Sequence, residues 1–281
     1  MCRPSTSICS SPATCAAASA SPRSATSSGQ LSLDDARRRL IDALADAGAE
    51  KLNFAGGEPT LRPDLAELVR HAKARGFVTS IVTNGAKLEA LLDACDGALD
   101  WVALSVDSAV EATQRLLGRG KGRHVEQALR LAGRCHARGV RLKLNTVVTR
   151  LNHDEDMSTF VRAARPERWK VFQVLRVVGE NDGRVEPLLI SAEEFHAVVA
   201  RHAPLAAEGL QPVAEDNDAM TDSYAMIDPL GRFYGNTAGI HRVSPPILEV
   251  GVAAGLSAVG YDPAKFSARG GRWSWEGRGD E

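Results

Sequence analysis

The sequence predicts an α/β fold: a partial (βα)6 barrel of the TIM type, with a C-terminal extension that covers the mouth of the barrel. Two observations favour this fold. Between about residues 31 and 205, short apolar runs alternate with amphipathic segments of helical length, which is typical of parallel βαβ units. A single α/β barrel domain is also common at a length of 281 residues. The pattern alone leaves a doubly wound parallel sheet open as an alternative.

Each element of the predicted barrel follows from this alternation. Ser32 can cap the first helix, because its hydroxyl can accept a hydrogen bond from an amide of the first turn, and Asp34 and Asp35 favour that turn further. Helices are predicted at 33–47, 64–75, 88–95, 123–138, 155–164 and 192–202. Strands are predicted at 51–55, 78–82, 101–105, 140–148 and 169–177.

Composition divides the chain into three parts. Residues 1–30 are rich in Ser and Ala and contain no Asp, Glu, Leu, Val or Phe, so we expect a disordered tail. Residues 31–205 carry the barrel. In 206–281 we expect a β-hairpin around the turn 228–231, a helix at 247–258 and an irregular segment at 269–275. This third part is the predicted substrate-covering extension.

Charge and cysteine content exclude several classes of protein. The 34 basic and 35 acidic residues nearly cancel, so the chain lacks the general basic field with which proteins bind nucleic acid. No apolar run reaches the roughly 18–20 residues that cross a membrane. The five cysteines are odd in number, which indicates free thiols in a reducing compartment, with Cys95 and Cys135 buried in helices. We expect a cytoplasmic monomer.

Three loops at strand ends place small or polar residues at the rim where α/β barrels bind ligands. Gly56, Gly57 and Glu58 follow the first predicted strand. The glycines allow a ligand close to the backbone, and the carboxylate can accept hydrogen bonds from an ammonium group. Asn84 and Ser105 end the next two strands. Tight turns and helix caps explain the same residues without a ligand, and both interpretations stay open.

Polar and basic side chains alternate with apolar ones on three strands. Residues two apart on a strand share a face, so Leu52, Leu144 and Trp169 should pack against the helices. The residues predicted to face inward are Lys51 with Asn53, Lys143 with Asn145, and Arg168 with Lys170. Four cations would then point into the barrel.

Buried cations are costly without a counter-ion. A polyanionic ligand, most simply a triphosphate, would supply the charge. The alternatives are that the cations reach solvent at the strand ends, or that they pair with Glu58, Asp107 and Glu180. The glycine-rich basic loop 118–123, with Arg119, fits either a solvated turn or a clamp for a carboxylate or phosphate. The seven histidines show no metal-ligand spacing, and no catalytic residue can be assigned.

From about residue 31 to 275 the sequence resembles the viperin-like radical S-adenosylmethionine (SAM) enzymes. The stretches that carry this resemblance include KLNFAGGEPTL, SIVTNG, LDWVALSVDS, LLGRGKG, LKLNTVVTRLNHDEDM, RPERWKVFQVL and ARGGRWSW. GGEP alone marks only the wider radical SAM superfamily. RWKVFQVL followed by GEN, with DSY and RF further on, is more specific to the viperin group.

The resemblance implies a radical enzyme with a 4Fe–4S cluster, SAM and an unidentified electron donor. It implies that a 5′-deoxyadenosyl radical removes the 4′ hydrogen of a nucleoside triphosphate and that the 3′ hydroxyl is lost. The product would be a 3′-deoxy-3′,4′-didehydro nucleotide that terminates viral RNA chains, so the implied role is antiviral defence. The base of the nucleotide is not specified.

The resemblance also implies which residues hold the ligands. For SAM they are Gly56, Gly57 and Glu58 at the amino group, and Asn84, Ser105 and Arg119 at the ribose and carboxylate. For the substrate they are Lys51, Asn53, Lys143, Asn145, Arg168 and Lys170, with Tyr224 and Arg232 near them.

The sequence departs from the family at two places. Ala55 stands where animal members carry Ser, which would remove one hydrogen bond to the substrate. The family binds its cluster with Cys-x3-Cys-x2-Cys, whereas Cys2, Cys9 and Cys15 lie seven and six positions apart. We therefore assign no metal ligands from the sequence. The alternative function is an inactive nucleotide-binding remnant without a cluster.

A shifted reading frame would explain the missing motif. A codon ending in T, followed by an alanine codon, contains the cysteine codon TGC in the shifted frame. The residue pairs 12–13, 16–17 and 19–20 allow this at spacings of four and three, which reproduces the family motif. The nucleotide sequence of the gene tests this hypothesis.

Overall fold

The computed structural model describes residues 5–9, 32, 34–237 and 240–270; of residues 5–9 and 36–38 it describes only the backbone. The described residues form one ten-stranded sheet covered by helices. The strands are β1 Ser5–Cys9, β2 Lys51–Ala55, β3 Val78–Thr83, β4 Trp101–Ser105, β5 Arg141–Val148, β6 Arg168–Gln173, β7 Pro212–Glu215, β8 Ala225–Ile227, β9 Arg232–Thr237 and β10 Ile240–Pro246.

The first helical segment begins with π-helical turns at Asp35–Ile41 and continues as α1 Asp42–Asp46. The predicted cap is confirmed, because the Asp35 amide donates to Ser32 Oγ at 3.1 Å. The remaining helices are α2 Leu65–Ala74, α3 Leu88–Cys95, α4 Glu111–Leu116, α5 His124–Ala137, α6 Ser158–Ala164, α7 Ala192–His202, α8 Asn217–Met220, α9 Ile247–Val250, α10 Val252–Ser257 and α11 Pro263–Ala268.

The strand order distinguishes between the two predicted architectures. It runs β10-β9-β8-β1-β2-β3-β4-β5-β6-β7, with parallel pairing from β8 through β1 to β7 and antiparallel pairing in β8–β9–β10. A doubly wound sheet reverses its order at a switch point in the middle. From β1 to β7 the order follows the chain, and β10 and β7 form open edges. The α/β partial barrel is therefore confirmed, and the doubly wound alternative is wrong.

β1 lies in the segment 1–30 that the sequence predicts to be a disordered tail. It pairs in parallel with β2, from Ser5 opposite Lys51 to Cys9 opposite Ala55, and with β8 on its other side. The prediction is wrong for these residues, while 1–4 and 10–30 lie outside the described part of the chain. Composition could not reveal the strand, because backbone hydrogen bonds to two neighbouring strands need no apolar side chain.

The outer face of the parallel strands forms the core. Leu52, Leu144 and Trp169 are at most 1% exposed and belong to one apolar cluster with residues of the covering helices. The Trp169 ring meets His202 of α7 edge-on at 5.0 Å, and its indole N–H donates to Thr146 Oγ1 at 3.0 Å. The prediction that these three side chains face the helices is confirmed. Their strand neighbours therefore face the inside of the barrel.

The C-terminal part differs from the prediction in its details. The predicted hairpin is confirmed by the antiparallel pairing of β8 and β9. The single helix predicted at 247–258 is divided into α9 and α10 at Gly251, whose φ of +83° breaks the helix. β10 and α11 were not predicted. Of the irregular segment expected at 269–275, residues 271–275 lie outside the described residues.

Candidate functional site

Glu58 connects the ends of two strands at the rim of the barrel. The residue lies shortly after β2, and its side chain is buried. Oε1 accepts from the Thr60 amide at 3.1 Å and the Thr83 hydroxyl at 2.6 Å, and Oε2 accepts from the Asn84 amide at 2.7 Å. These charge-assisted bonds fix the orientation of the carboxylate. Because a carboxylate oxygen can accept about two hydrogen bonds, Oε2 can also accept one from an ammonium group.

The glycines at the rim adopt backbone conformations that other residues avoid. Gly56 and Gly57 have φ of +86° and +49°. Gly85, after β3, has φ of +87°, and a Cβ atom on it would lie 2.4 Å from Leu131 Cδ1. Gly85 is buried and packs its backbone against Leu131, whereas Gly56 and Gly57 are accessible and leave bare backbone at the rim, which allows a ligand to approach closely.

Arg119 forms a buried ion pair at the end of β4. Its Nε donates to the Asp107 carboxylate, and both side chains are less than 10% exposed. The second Asp107 oxygen accepts from the Val147 amide at 2.9 Å. At the same strand end, the carbonyl of Ser105 lies 3.0 Å from Nε2 of His124. The pair fixes one edge of the guanidinium of Arg119 at the rim that Glu58 also occupies.

A pocket opens inside the barrel between β2 and β6. Its space, including the solvent-filled mouth, is about 680 Å³. The described residues that line it are Lys51, Asn53, Ser80, Val82, Ala103, Lys143, Asn145, Arg168, Lys170, Phe172, Tyr224, Phe266, Arg269 and Gly270. The prediction that the polar and basic residues of β2, β5 and β6 meet inside the barrel is confirmed.

Lys51 and Lys143 lie side by side deep in this pocket. Their Nζ atoms lie 5.4 Å and 4.9 Å from the ring centroid of Trp101, at the start of β4. The pKa of Lys51 is lowered to about 8, chiefly by burial; a hydrogen bond with Lys143 opposes this shift, and the charges of Lys170 and Arg168 add to it. Burial also lowers the pKa of Lys143 well below its usual value, and the charge of Lys51 adds to this effect. An anion entering the pocket would stabilise both ammonium groups.

Glu215 forms the second charged cluster, on the wall made by β6 and β7. This fully buried carboxylate accepts from Lys170 Nζ, from the Tyr224 hydroxyl and, at 3.2 Å, from Arg269 Nη1. Burial lowers the pKa of Lys170 to about 8, although Glu215 acts in the opposite direction. The Arg168 guanidinium lies beside this cluster and donates to the Gly270 carbonyl at 2.9 Å. The segment that follows α11 therefore covers part of the pocket.

Arg232, which the resemblance places near the substrate, pairs with a carboxylate of its own hairpin. It is absent from the described lining of the pocket, and its guanidinium pairs with Asp228 at 2.6 Å. Asp228 lies in the turn between β8 and β9, where its other oxygen accepts from two backbone amides. The assignment of Arg232 to the neighbourhood of the substrate therefore stays a prediction from the resemblance, and the partner that the structure gives its guanidinium is Asp228.

The predicted alternative, in which the inward cations of β2, β5 and β6 pair with Glu58, Asp107 and Glu180, is wrong. Glu58 binds hydroxyl and amide groups at the rim, and Asp107 pairs with Arg119. Glu180 lies 3.6 Å from His241 Nδ1. The carboxylate that meets a strand cation is Glu215, which the sequence analysis missed. Its sequence signal was weak, because it ends the short strand Pro212–Glu215 in a region without clear periodicity.

Neither helical cysteine is suited to bind iron. Cys95 and Cys135 are buried as predicted, and burial raises the pKa of their thiols to about 11 and about 12. Within the described residues no group of three metal-ligating side chains occurs. The backbone of Cys9 ends β1 opposite Ala55, beside the glycine rim, whereas Cys2 and Cys15 lie outside the described residues. The described residues therefore do not supply a ligand set for a cluster.

Comparison with known proteins identifies the family. The sequence model of the Radical SAM superfamily matches residues 8–164. The chain belongs to this superfamily. The fold is similar to that of SuiB from Streptococcus suis, crystallised with S-adenosylmethionine, which aligns with a TM-score of 0.63 and 14% identity over 83% of this chain and 60% of that one.

The sequence relatives place the chain in the viperin group. A "S-adenosylmethionine-dependent nucleotide dehydratase" of Flammeovirga pacifica is 42% identical over 84% of this chain and 82% of its own length. One of Lacinutrix mariniflava is 41% identical over 88% of this chain, which spans about half (52%) of that protein. The Danio rerio protein named RSAD2 is 36% identical over 87% of this chain and 70% of its own length.

Among the described residues, every helix is too short or too polar to span a membrane.

Proposed function

We propose that this chain is a SAM-dependent nucleotide dehydratase that converts a nucleoside triphosphate to its 3′-deoxy-3′,4′-didehydro form, with a role in antiviral defence. The observation that carries the proposal is the inward cluster of Lys51, Lys143, Arg168 and Lys170, which lines one pocket directly below a rim suited to SAM. A triphosphate supplies the negative charge that this cluster lacks. The names of the relatives supply the reaction.

The rim residues fit SAM. Gly56 and Gly57 expose backbone, and Glu58 Oε2 can accept a hydrogen bond from the methionine ammonium. We assign Asn84, Ser105 and Arg119 to the ribose and carboxylate of the same molecule. Bound there and given one electron by the donor, SAM would yield methionine and the 5′-deoxyadenosyl radical, which would be the group that takes the 4′ hydrogen of the nucleotide.

The order of residues along the strands orients the substrate. Parallel strands all run toward the rim, so residues two positions further along lie about 7 Å nearer to it. Lys51 and Lys143 are thus deeper in the pocket, and Asn53 and Asn145 nearer the rim. We infer that the phosphates bind at depth and that the ribose lies between the asparagines and the cofactor. The 4′ carbon then faces the rim where the radical forms.

The second candidate is a nucleotide-binding protein without the radical reaction. The irregular spacing of Cys2, Cys9 and Cys15 favours it, as does the absence of a metal-ligand group in the described part of the chain. The shifted-frame hypothesis favours the enzyme, since it restores a Cys-x3-Cys-x2-Cys motif shortly after β1. The DNA sequence upstream of codon 31 distinguishes them: codons that lack T at the required third positions exclude the shift.

Anaerobic reconstitution with iron and sulfide tests the proposed function. We expect that dithionite and SAM yield 5′-deoxyadenosine, that one of the four ribonucleoside triphosphates stimulates its release, and that this nucleotide loses one water. Arg168→Met should abolish the stimulation, whereas Lys87→Met, on the surface, should not. Triphosphate binding without iron and without 5′-deoxyadenosine would support the second candidate. Cleavage that no triphosphate stimulates would indicate another substrate and refute the proposal.

A further inference from the structure

Glu215 is the one carboxylate among the described residues that contacts the cations of the pocket wall. It is the last residue of β7 and is 0% exposed. Its Oε1 accepts from Lys170 Nζ and Arg269 Nη1, and its Oε2 accepts from the Tyr224 hydroxyl. Three side chains of the pocket lining thus converge on a residue that does not line the pocket itself.

These contacts join four parts of the fold. Lys170 lies on β6, Glu215 on β7, Tyr224 just before β8 and Arg269 just after α11. Arg269 also donates to the Ser223 carbonyl at 2.9 Å and stacks on the Tyr224 ring at 3.7 Å. The carboxylate therefore determines where the C-terminal segment and the β6 ammonium sit relative to each other.

The charges leave the wall positive. Lys170, Arg168 and Arg269 contribute three positive charges against the single negative charge of Glu215. Burial alone would raise the pKa of Glu215, but the charges of Lys170 and Arg269 outweigh it and hold that pKa below its usual value. The carboxylate thus stays ionised, and two net charges remain for an anionic ligand.

We propose that Glu215 is a positioning residue that fixes the ammonium of Lys170 and the guanidinium of Arg269 at the pocket wall to receive the phosphate tail of the substrate. The inference rests on the proposed function and adds a residue that touches neither substrate nor cofactor. Glu215 acts through its two cationic partners. Its negative charge also keeps the proton on Lys170 at higher pH than burial alone would allow.

The charged groups around Lys170 all contribute to its titration. Glu215 on β7 favours its charged form. The charges of Arg168, on the same strand, and Arg269, after α11, disfavour the charged form of Lys170. Lys170 in turn lowers the pKa of Lys51 on β2 and of Lys143 on β5. The Tyr224 hydroxyl, whose pKa burial raises well above its usual value, remains neutral beside them. Of the charged and titratable groups described around Lys170, removal of Glu215 leaves cations and a neutral phenol, so Lys170 should lose its proton at a lower pH.

The test measures the binding of ribonucleoside triphosphates to the full chain from pH 7 to pH 9 at constant ionic strength. In this range the phosphates are ionised, since the second pKa of a phosphate ester lies near 6. The affinity should fall as pH rises, and Glu215→Gln should lower the midpoint pH of that fall by about one unit or more. The reason is that a charge within hydrogen-bond distance shifts a pKa by about 1–3 units. The loss of affinity should therefore be larger at pH 8 than at pH 7.

Two further variants separate the charge of Glu215 from its packing. Tyr224→Phe removes one hydrogen bond to Glu215 but leaves its charge beside Lys170, so the pH midpoint should not move. In a Lys170→Arg background, Glu215→Gln should no longer shift the midpoint, because guanidinium does not lose its proton in this range. If Glu215→Gln does not fold, Glu215→Asp replaces it and should give a smaller shift in the same direction.

The outcomes distinguish the inference from the function on which it rests. An equal loss of affinity at every pH, or no shift in the midpoint, would show a merely structural role and overturn the inference. A shift that persists in the Lys170→Arg background would also overturn it. If the unmodified chain binds none of the four triphosphates, the proposed function fails first, whatever the variants do.

Discussion

Lys51→Met should stabilise the protein in the absence of nucleotide. Burial lowers the pKa of Lys51 from 10.5 to about 8, and the side chain is 4% exposed. The unfolded chain therefore binds more protons between about pH 8 and 10.4, and stability rises with pH across this window. Below the window the folded protein carries the full cost of the buried charge, about 3 kcal/mol at 1.36 kcal/mol per pKa unit.

Replacement by methionine removes this cost together with the contacts to Lys143 and Trp101. The cation–π contact with Trp101 at 5.4 Å stabilises by about 0.5–1 kcal/mol, so a net gain of about 2 kcal/mol is expected at pH 7. Urea unfolding followed by circular dichroism measures it. The gain should shrink by pH 10, where the unmodified lysine is neutral in the folded state.

A matched surface variant controls for the substitution itself. Lys87→Met, at an exposed position, should change the unfolding free energy by no more than about 0.5 kcal/mol at either pH. A loss of stability in Lys51→Met at pH 7, or a gain of the same size at pH 7 and pH 10, would refute the reasoning. In that case the lysine would be paired well enough to carry its charge at no cost.

Three other predictions follow from contacts at the site. Asp107→Asn leaves a buried guanidinium without its carboxylate, so urea unfolding should show a loss of about 3–5 kcal/mol; a loss below 1 kcal/mol would contradict a tight buried pair. Gly85→Ala places a Cβ 2.4 Å from Leu131 Cδ1 at φ +87° and should cost about 2 kcal/mol or more; unchanged stability would contradict that strain. Triphosphate binding at pH 8 should take up about one proton or more: Lys51 and Lys170, whose pKa values are both about 8, account for about one, and Lys143, whose pKa burial also lowers, adds to it. Calorimetry in buffers of different ionisation enthalpy measures this uptake, and a value of zero would contradict it.

Side chains alternate between the two faces of a strand, and this alternation made most of the pocket lining predictable from the sequence. Alternation on β2, β5 and β6 placed Lys51, Lys143 and Lys170 on one face, and the structure brings them together. The parallel order of the strands placed the glycine loop at the rim. Both inferences need only the geometry of a single strand and the direction of its neighbours.

Partners distant in sequence could not be predicted in this way. Glu215 meets Lys170 across 45 positions, and Arg168 reaches Gly270 across 102. Nothing in the local pattern identifies which of 35 acidic residues is close to a given lysine. β1 was missed because Ile8 is its one strongly apolar residue in a segment dominated by Ser, Thr and Ala.

The affinity of the chain for nucleoside mono-, di- and triphosphates of one base tests the central claim most directly. If the lysines of the pocket receive a phosphate tail, the triphosphate should bind about tenfold or more tightly than the monophosphate, since one charge-assisted hydrogen bond contributes about 1.5–3 kcal/mol. Lys143→Met should narrow that difference while leaving monophosphate binding nearly unchanged. Equal affinities for all three nucleotides, or a difference that Lys143→Met does not alter, would contradict the account.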